Sequence, residues 1–165
     1  MSDIDPFDRA RALAALGDAS EAMAALEAIL DEDPNHLGAL LLKASLLMEA
    51  RAADAALALY ERAARIGPRS SEALNELARC LHAHERNDEA LEVARQAQGL
   101  IGEGDNFRHA GSVYLTLVWI LRAKRQFKEA LALAEEGLLR APDAVLAEWA
   151  TVVEQELAES EKERC

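Results

Sequence analysis

The chain has 165 residues, which favours a single domain, and it carries a formal net charge of -12. It is 51% hydrophobic but only 4% aromatic, a composition that favours closely packed helices over a sheet. Carboxylates repel phosphate, which disfavours nucleic acid as a ligand, and no stretch approaches the ~18 apolar residues of a membrane span. Cys80 and Cys165 are too few and too far apart for a disulfide framework, and MSDIDPFDRA lacks a signal-peptide pattern, so we expect a cytoplasmic protein.

The first predicted hairpin begins at Pro6, which stands at the first helical position directly after a capping aspartate. This helix should end at Gly17. The segment DASE, from Asp18, then predicts a capping box for a second helix that ends before Pro34, with Asp in place of Ser or Thr. Residues 5–34 are therefore predicted to form a helix–turn–helix hairpin.

Three more hairpins are predicted further along the chain. The helices of the second hairpin are nearly apolar all round, a pattern typical of helices buried between neighbours. In the third, Ser70 or Ser71 and Asn87 are the expected N-caps. A last helix opens at Pro142 and fades into the charged tail ESEKERC, which makes nine helices. The predicted helix pairs are 37–50 with 54–66, about 71–84 with 88–100, and about 107–124 with 127–140.

Small and large residues recur in columns when the hairpins are aligned. One alanine of the second helix recurs at steps of 34, 34 and 40 residues. Small residues at fixed positions let the two helices of a hairpin approach closely, and larger neighbours fill the gap to the next hairpin. A fixed period in this range indicates a stacked repeat array. Three such columns are Ala10, Ala44, Ala78 and Val118; Leu13, Leu47, Leu81 and Leu121; and Ala22, Ala56, Ala90 and Ala130.

These columns resemble the tetratricopeptide (TPR) repeat, a helix pair of about 34 residues with small residues at set positions and a proline near its end. The resemblance covers residues 3–142 and implies an all-α, right-handed α-solenoid of hairpins. The chain departs from the pattern at Arg9 and Lys43, where the repeat is usually apolar, and the third repeat lacks its proline. The implied repeats are about 3–36, 37–70, 71–104 and 111–144, with a short insertion at 103–110, a capping helix at 143–160 and a charged tail at 161–165.

The last helix carries one apolar stripe at helical spacing, and two interpretations of it stay open. The resemblance suggests a solvating helix, because the last repeat would otherwise expose an apolar face to water. Alternatively, the same stripe forms a dimerisation helix. The stripe consists of Leu146, Trp149, Val152, Val153 and Leu157.

We find no motif of catalysis or metal binding in the sequence. It contains no phosphate loop, GxGxxG fingerprint or nucleophile elbow. Cys80 and His82 lie two residues apart on a predicted helix, about 200° apart around its axis, so they cannot share a metal or a proton. The acidic run 31–33 lacks the ligand pattern of a calcium loop. We therefore expect no catalytic residue, no metal, no cofactor and no enzyme activity.

The resemblance implies a binding groove on the first helices of the hairpins, where TPR proteins commonly hold ligand peptides. Three of the implied positions are arginines, which in an acidic chain suggest an acidic or carboxylate-bearing peptide with apolar anchors beside it. Alternatively, these arginines only neutralise acids on adjacent helices. The implied groove residues are Phe7, Arg11, Leu41, Ser45, Met48, Asn75, Arg79, His82, Leu115, Trp119 and Arg122.

The expected function is a non-enzymatic adaptor or scaffold that binds an extended or helical peptide in this groove. Of the carboxylate-clamp positions of chaperone-binding TPR domains only Arg79 fits, so the chaperone tail motif is not an expected ligand. Alternatives are a small TPR-type chaperone for a secreted or assembly partner, a self-associating assembly subunit that uses the terminal helix, and a regulatory enzyme subunit. We expect a monomer with a protein partner, and neither nucleic acid nor membrane as a ligand.

Overall fold

The structure is a computed structural model that describes residues 4–102 and 109–163, and within these residues it contains nine helices and no strand. The predicted all-α class and the nine helices are confirmed for this part of the chain. Residues 103–108 of the predicted insertion and 164–165 of the charged tail lie outside it. The helices are α1 (Pro6–Ala15), α2 (Ala19–Glu32), α3 (Leu37–Glu49), α4 (Ala53–Ile66), α5 (Ser71–Ala83), α6 (Asn87–Gly99), α7 (Ala110–Ala123), α8 (Phe127–Arg140) and α9 (Ala144–Lys162).

The chain divides into two compact units, Met1–Pro68 and Arg69–Cys165, and each is built from paired helices. In the first unit α1 packs on α2, α3 packs on α4, and α2 contacts α3. Small residues at the helix contacts let the backbones approach, and leucines fill the remaining space. One buried cluster of this unit consists of Ala10, Ala22, Leu26, Ala39 and Leu46, with Phe7, Leu13 and Ile29 packed against it.

The second unit continues the same pairing with larger side chains. Here α5 packs on α6, α7 on α8 and α8 on α9, while α7 also contacts α5, α6 and α9. Tyr114 of α7 is 1% exposed, and its hydroxyl donates to Oε1 of Glu136 at 2.7 Å. Burial raises the pKa of Tyr114, and the hydrogen bond to Glu136 acts in the same direction. Other fully buried side chains of this unit are Leu117, Ile120, Leu121, Leu146 and Val153.

The four hairpin turns share one backbone conformation, although only the first contains a glycine. Gly17 has a φ of 85°. At the equivalent positions, Arg51, Glu85 and Arg125 have φ values of 61°, 61° and 58°. Each turn closes with the two backbone hydrogen bonds of a Schellman motif, between 2.8 and 3.0 Å long. The packing of the two helices therefore imposes a left-handed residue even where the sequence offers no glycine.

Three of the four first helices and the terminal helix begin with a side-chain cap, whereas α7 and the second helices have none. Side chains of Asp5, His36, Ser70 and Asp143 accept a backbone N–H at the starts of α1, α3, α5 and α9. The capping box predicted at Asp18 is wrong, because its side chain makes no cap hydrogen bond. The preceding turn holds Asp18 at a ψ of 59°, outside the extended conformation that a capping residue adopts.

Replacing Glu85 with glycine is expected to raise the free energy of unfolding by about 0.5–1 kcal/mol. A left-handed backbone costs an L-residue about 1–2 kcal/mol, and the extra chain entropy of glycine offsets part of that gain. Urea unfolding followed by circular dichroism measures the change. The matched control is Ala83→Gly in the last position of α5, where φ is helical and a loss of about 1 kcal/mol is expected. If both variants lose stability equally, the left-handed turn carries no strain.

Replacing Ala56 with leucine is expected to cost about 1–3 kcal/mol, because overpacking a close helix contact forces the neighbours apart. Ala56 in α4 is 0% exposed. Ala53, expected from the sequence to be exposed, is half-buried, so the exposed Ala58 on the same helix is the better control. Ala58→Leu should leave the thermal midpoint nearly unchanged. Equal midpoints for the two leucine variants would contradict the assignment of Ala56 to the close contact.

Candidate functional site

The first helices of the first unit, α1 and α3, line an open cleft of about 600 Å³, here called the N-terminal cleft. Arg11 and Ser45, both predicted groove residues, line it. Nη1 of Arg11 lies 3.3 Å from Oδ1 of Asp8, and both side chains are more than half exposed. Such an exposed ion pair contributes little, so it leaves the guanidinium able to bind a ligand carboxylate. The cleft is lined by Asp8, Arg11, Ala12, Ala14, Ala15, Leu42, Ser45, Leu46 and Glu49.

The predicted groove residues Phe7, Leu41 and Met48 are not among those that line the N-terminal cleft. Leu41 is only 9% exposed. Phe7 is half-buried, with its ring centroid 4.9 Å from that of His36. The cleft side of α3 includes Leu42, the residue after Leu41. Because α3 is apolar all round, its sequence pattern does not reveal which of two adjacent leucines faces the cleft.

In the second unit, α5, α7 and the start of α9 line a smaller cleft of about 230 Å³, here called the tryptophan cleft. It brings together three predicted groove residues, Arg79, Leu115 and Trp119. Nη1 of Arg79 lies 3.0 Å from Oε1 of Glu76, and the Arg79 side chain remains 47% exposed. The cleft thus places the Arg79 guanidinium beside apolar surface, and its wall also includes Asp143, whose carboxylate caps α9. It is lined by Arg79, Gly111, Ser112, Leu115, Thr116, Trp119, Asp143 and Val145.

Asn75 and His82, the other predicted groove residues of α5, make contacts within the unit. Asn75 is 2% exposed, and its Nδ2 donates to Oγ of Ser112 at 2.8 Å. His82 is half-buried, with Nδ1 2.6 Å from Oδ1 of Asn87. The prediction that Asn87 caps α6 is wrong, because Arg86 occupies the N-cap position. Nδ2 of Asn75 and Nδ1 of His82 therefore already contact other side chains of the unit, whereas Oδ1 of Asn75 is buried without a hydrogen-bond partner.

Arg122, at the end of α7, is held by the terminal helix α9. Its guanidinium donates to both carboxylate oxygens of Glu156, at distances from 2.6 to 3.0 Å. The Arg122 carbon Cζ lies 5.2 Å from the ring centroid of Trp149, which in turn meets Trp119 edge-on at 6.1 Å. The hydrogen bonds to Glu156 raise the pKa of Arg122 above its ordinary value. A segment of the chain itself thus occupies the predicted anion-binding position.

The turn from α7 to α8, residues 122–128 (RAKRQFK), holds four cations and no carboxylate, and it is here called the basic turn. Cζ of Arg125 lies 5.9 Å from the ring centroid of Phe127. Arg122, Arg125 and Phe127 line a cleft of about 360 Å³ together with acidic residues of α9 such as Glu159. Sequence reasoning based on groove positions missed this cluster. The signal that would have found it is the density of positive charge in seven residues of an acidic chain.

Cys80 contacts a different histidine from the one considered in the sequence. Its sulfur lies 3.9 Å from Nδ1 of His84, one helical turn along α5. The same nitrogen is 2.8 Å from the carbonyl oxygen of Cys80, to which a protonated Nδ1 donates.

Among the described residues, no group of three or more His, Cys, Asp or Glu is placed to hold a metal ion. Within the same residues, every helix is too short or too polar to span a membrane.

Comparison with known protein families finds one kind of repeat. Residues 7–71 match a family model described as tetratricopeptide repeat, and residues 47–99 match a second model with the same description. Together these matches extend from α1 to α6, more than half of the chain. No curated protein sequence matches the chain.

Several solved structures share this arrangement of helices. PilF of Pseudomonas aeruginosa is 17% identical with a TM-score of 0.82, over 93% of this chain and 68% of that chain. MamA is 18% identical with a TM-score of 0.74, over 93% and 81% of the two chains. YrrB, a TPR protein described as having an unusual peptide-binding site, is 19% identical with a TM-score of 0.68, over 90% and 74%. At these identities the likeness shows a shared fold.

Proposed function

The chain belongs to the tetratricopeptide repeat family, a scaffold for protein–protein interaction, and we propose that it binds an acidic peptide through the first helices of its hairpins. The peptide is extended or helical and supplies carboxylates together with an apolar anchor. YrrB, which shares the fold, is described as having a peptide-binding site, and this supports a peptide as the ligand. The proposed module is non-enzymatic and cytoplasmic.

The tryptophan cleft is the observation that carries this proposal. Arg79 stands there at the edge of the apolar surface of Leu115 and Trp119. A ligand carboxylate at Arg79 would gain charge-assisted hydrogen bonds, which are stronger than neutral ones. The neighbouring indole and leucine provide the kind of apolar contact that anchors a side chain at an interface. Charge and apolar surface therefore favour an acidic residue flanked by an apolar one.

The packing of α9 supports a monomeric module with a terminal capping helix. Leu146 and Val153, from the apolar stripe of α9, are 0% exposed, and Trp149 contacts Trp119 within the same unit. The other three residues of the stripe are half-buried, so little apolar surface is left for a dimer, which needs a large apolar interface. We therefore favour the cap over the dimerisation helix. Sedimentation velocity at several concentrations tests this choice, and a concentration-dependent dimer would contradict it.

The Arg79→Glu variant is expected to weaken binding of an acidic peptide at least tenfold without unfolding the protein. Peptides are first selected from a random display library on the immobilised parent protein, and their affinities are then measured by fluorescence anisotropy. Reversal of the charge replaces attraction by repulsion at a side chain that is 47% exposed, so the fold should tolerate it. Affinity should also fall as salt rises, because exposed charges are screened.

The control is Arg65→Glu, the same change of charge at an exposed position on the second helix α4. It should bind the selected peptides like the parent. The proposal fails if the library yields peptides without enrichment of Asp and Glu. It also fails if Arg79→Glu and Arg65→Glu bind the peptides equally well.

A further inference from the structure

The terminal helix α9 is held by two kinds of contact along its length. Its first half is anchored by Leu146 and Val153, which are fully buried. Beyond Val153, α9 is attached through the half-buried Leu157 and through two ion pairs. Glu156 binds Arg122, and Oε1 of Glu161 lies 3.0 Å from Nζ of Lys128, with both of the latter side chains more than half exposed. An exposed ion pair such as Lys128–Glu161 contributes little stability, and no side chain of residues 154–163 is fully buried, so the second half of α9 is the weaker attachment.

The two surfaces that meet here are complementary in charge. Residues 144–162 contain five glutamates and one lysine, whereas the basic turn contains four cations and no carboxylate. One of these cations, Lys124, pairs with Asp88 of α6, which leaves Arg122, Arg125 and Lys128 for α9. Aromatic contacts accompany the charges, since Trp149 lies against both Arg122 and Trp119. α9 therefore presents a tryptophan and, seven residues later, a glutamate on one side of an acidic helix. These are the features of the peptide ligand that the proposed function assigns to this protein.

We propose that the basic turn, together with Trp119, is a docking surface for an acidic amphipathic helix of another protein, and that α9 is the intramolecular competitor for this surface. The inference rests on the proposed function, because Trp119 also lines the tryptophan cleft. The partner helix carries an aromatic side chain for Trp119 and a carboxylate two turns later for Arg122. It displaces α9 from Trp149 onward, and its own aromatic side chain and carboxylate replace the contacts of Trp149 and Glu156. The positive charge of the basic turn excludes basic helices.

The test uses a fluorescein-labelled synthetic peptide with the sequence of residues 144–162 as the partner helix. The full chain is compared as the parent, as Glu156→Arg, and as the control Glu154→Arg, whose side chain is exposed on the same helix. Glu156→Arg weakens the hold of the protein's own α9 on Arg122, so it should bind the peptide at least tenfold more tightly than the parent or the control does. Hydrogen exchange should accelerate in residues 149–162 of Glu156→Arg while α5 to α8 stay protected.

A charge swap tests the same surface independently of whether Glu156→Arg folds. The Arg122→Glu chain should bind the parental peptide at least tenfold more weakly than it binds a peptide that itself carries Glu156→Arg. Equal affinities across the variants, failure of the swapped pair to bind, or a dimer of the parent chain held by exchanged α9 helices would each overturn the inference. If the inference fails in one of these ways but the library peptides still bind Arg79→Glu more weakly than the parent, the proposed function stands.

Discussion

A Gly137→Val variant is expected to lose about 3 kcal/mol of unfolding free energy, because no room exists for a side chain where α8 meets its two neighbours. A Cβ atom at Gly137 would lie 2.7 Å from Cδ2 of Leu146 and 2.7 Å from Cβ and Cγ of Tyr114. Both neighbours are at most 1% exposed, so neither can move aside without disturbing the core. Overpacking of this kind costs about 1–3 kcal/mol and sometimes more. Chemical denaturation measures the loss.

Gly99 at the end of α6 offers the matched control. A Cβ atom there would meet nothing within 4 Å. Gly99→Val should therefore leave stability within about 0.5 kcal/mol of the parent, as surface changes usually do. Similar losses in the two valine variants would mean that Gly137 matters for its backbone freedom and not for the close approach of α7 and α9.

Shortening Leu146 to alanine is the second change with a large expected effect. This side chain is 0% exposed and lies over Gly137, so it fixes the start of α9 against α8. Removing a buried leucine side chain costs about 2–5 kcal/mol. We also expect faster hydrogen exchange throughout residues 144–162, because the apolar anchor of α9 is lost. Its neighbour Val145 is 47% exposed, and Val145→Ala should change the unfolding free energy by less than about 0.5 kcal/mol.

The two variants should interact, because Gly137 and Leu146 share one contact. In the double variant Gly137→Val, Leu146→Ala, the new valine methyl groups enter the space left by the leucine. The losses of unfolding free energy in the two single variants should therefore add up to more than the loss in the double variant, by about 1 kcal/mol or more. Additive losses would show that α9 does not rest on α8 at this point.

Much of the fold was readable from residue spacing alone. Ala22, Ala56, Ala90 and Ala130 were predicted to lie at close helix contacts, and each is 0% exposed. The helix bounds were predicted closely from the apolar period and, at the ends of α1, α2, α4 and α8, from the glycine or proline that follows. The starts of the second helices were predicted less well. The turn before each of them is set by how the two helices pack, so Asp18 and Asn87 looked like caps without acting as caps.

The candidate site was harder to predict, because the side chains that contact a residue on one helix lie on other helices. Arg79, Leu115 and Trp119 were predicted as groove residues from the resemblance, and the structure places them around one cleft. The sequence left two roles open for Arg122, an anion-binding position in the groove or an arginine that neutralises acids on an adjacent helix. Its partner Glu156 lies 34 residues away, on a helix considered only for its apolar stripe.

By itself, the sequence determined an all-α protein of repeated hairpins, because the period, the small-residue columns and the turn signals are local properties that neighbouring repeats share. It also determined a strongly acidic last helix and a basic turn before α8. Only the tertiary structure decided that these two meet, that Arg122 is already paired, and that Leu41 is buried while Leu42 faces a cleft. The physical reason is that burial and ion pairing depend on the packing of helices distant in sequence, and the spacing along one helix does not encode that packing.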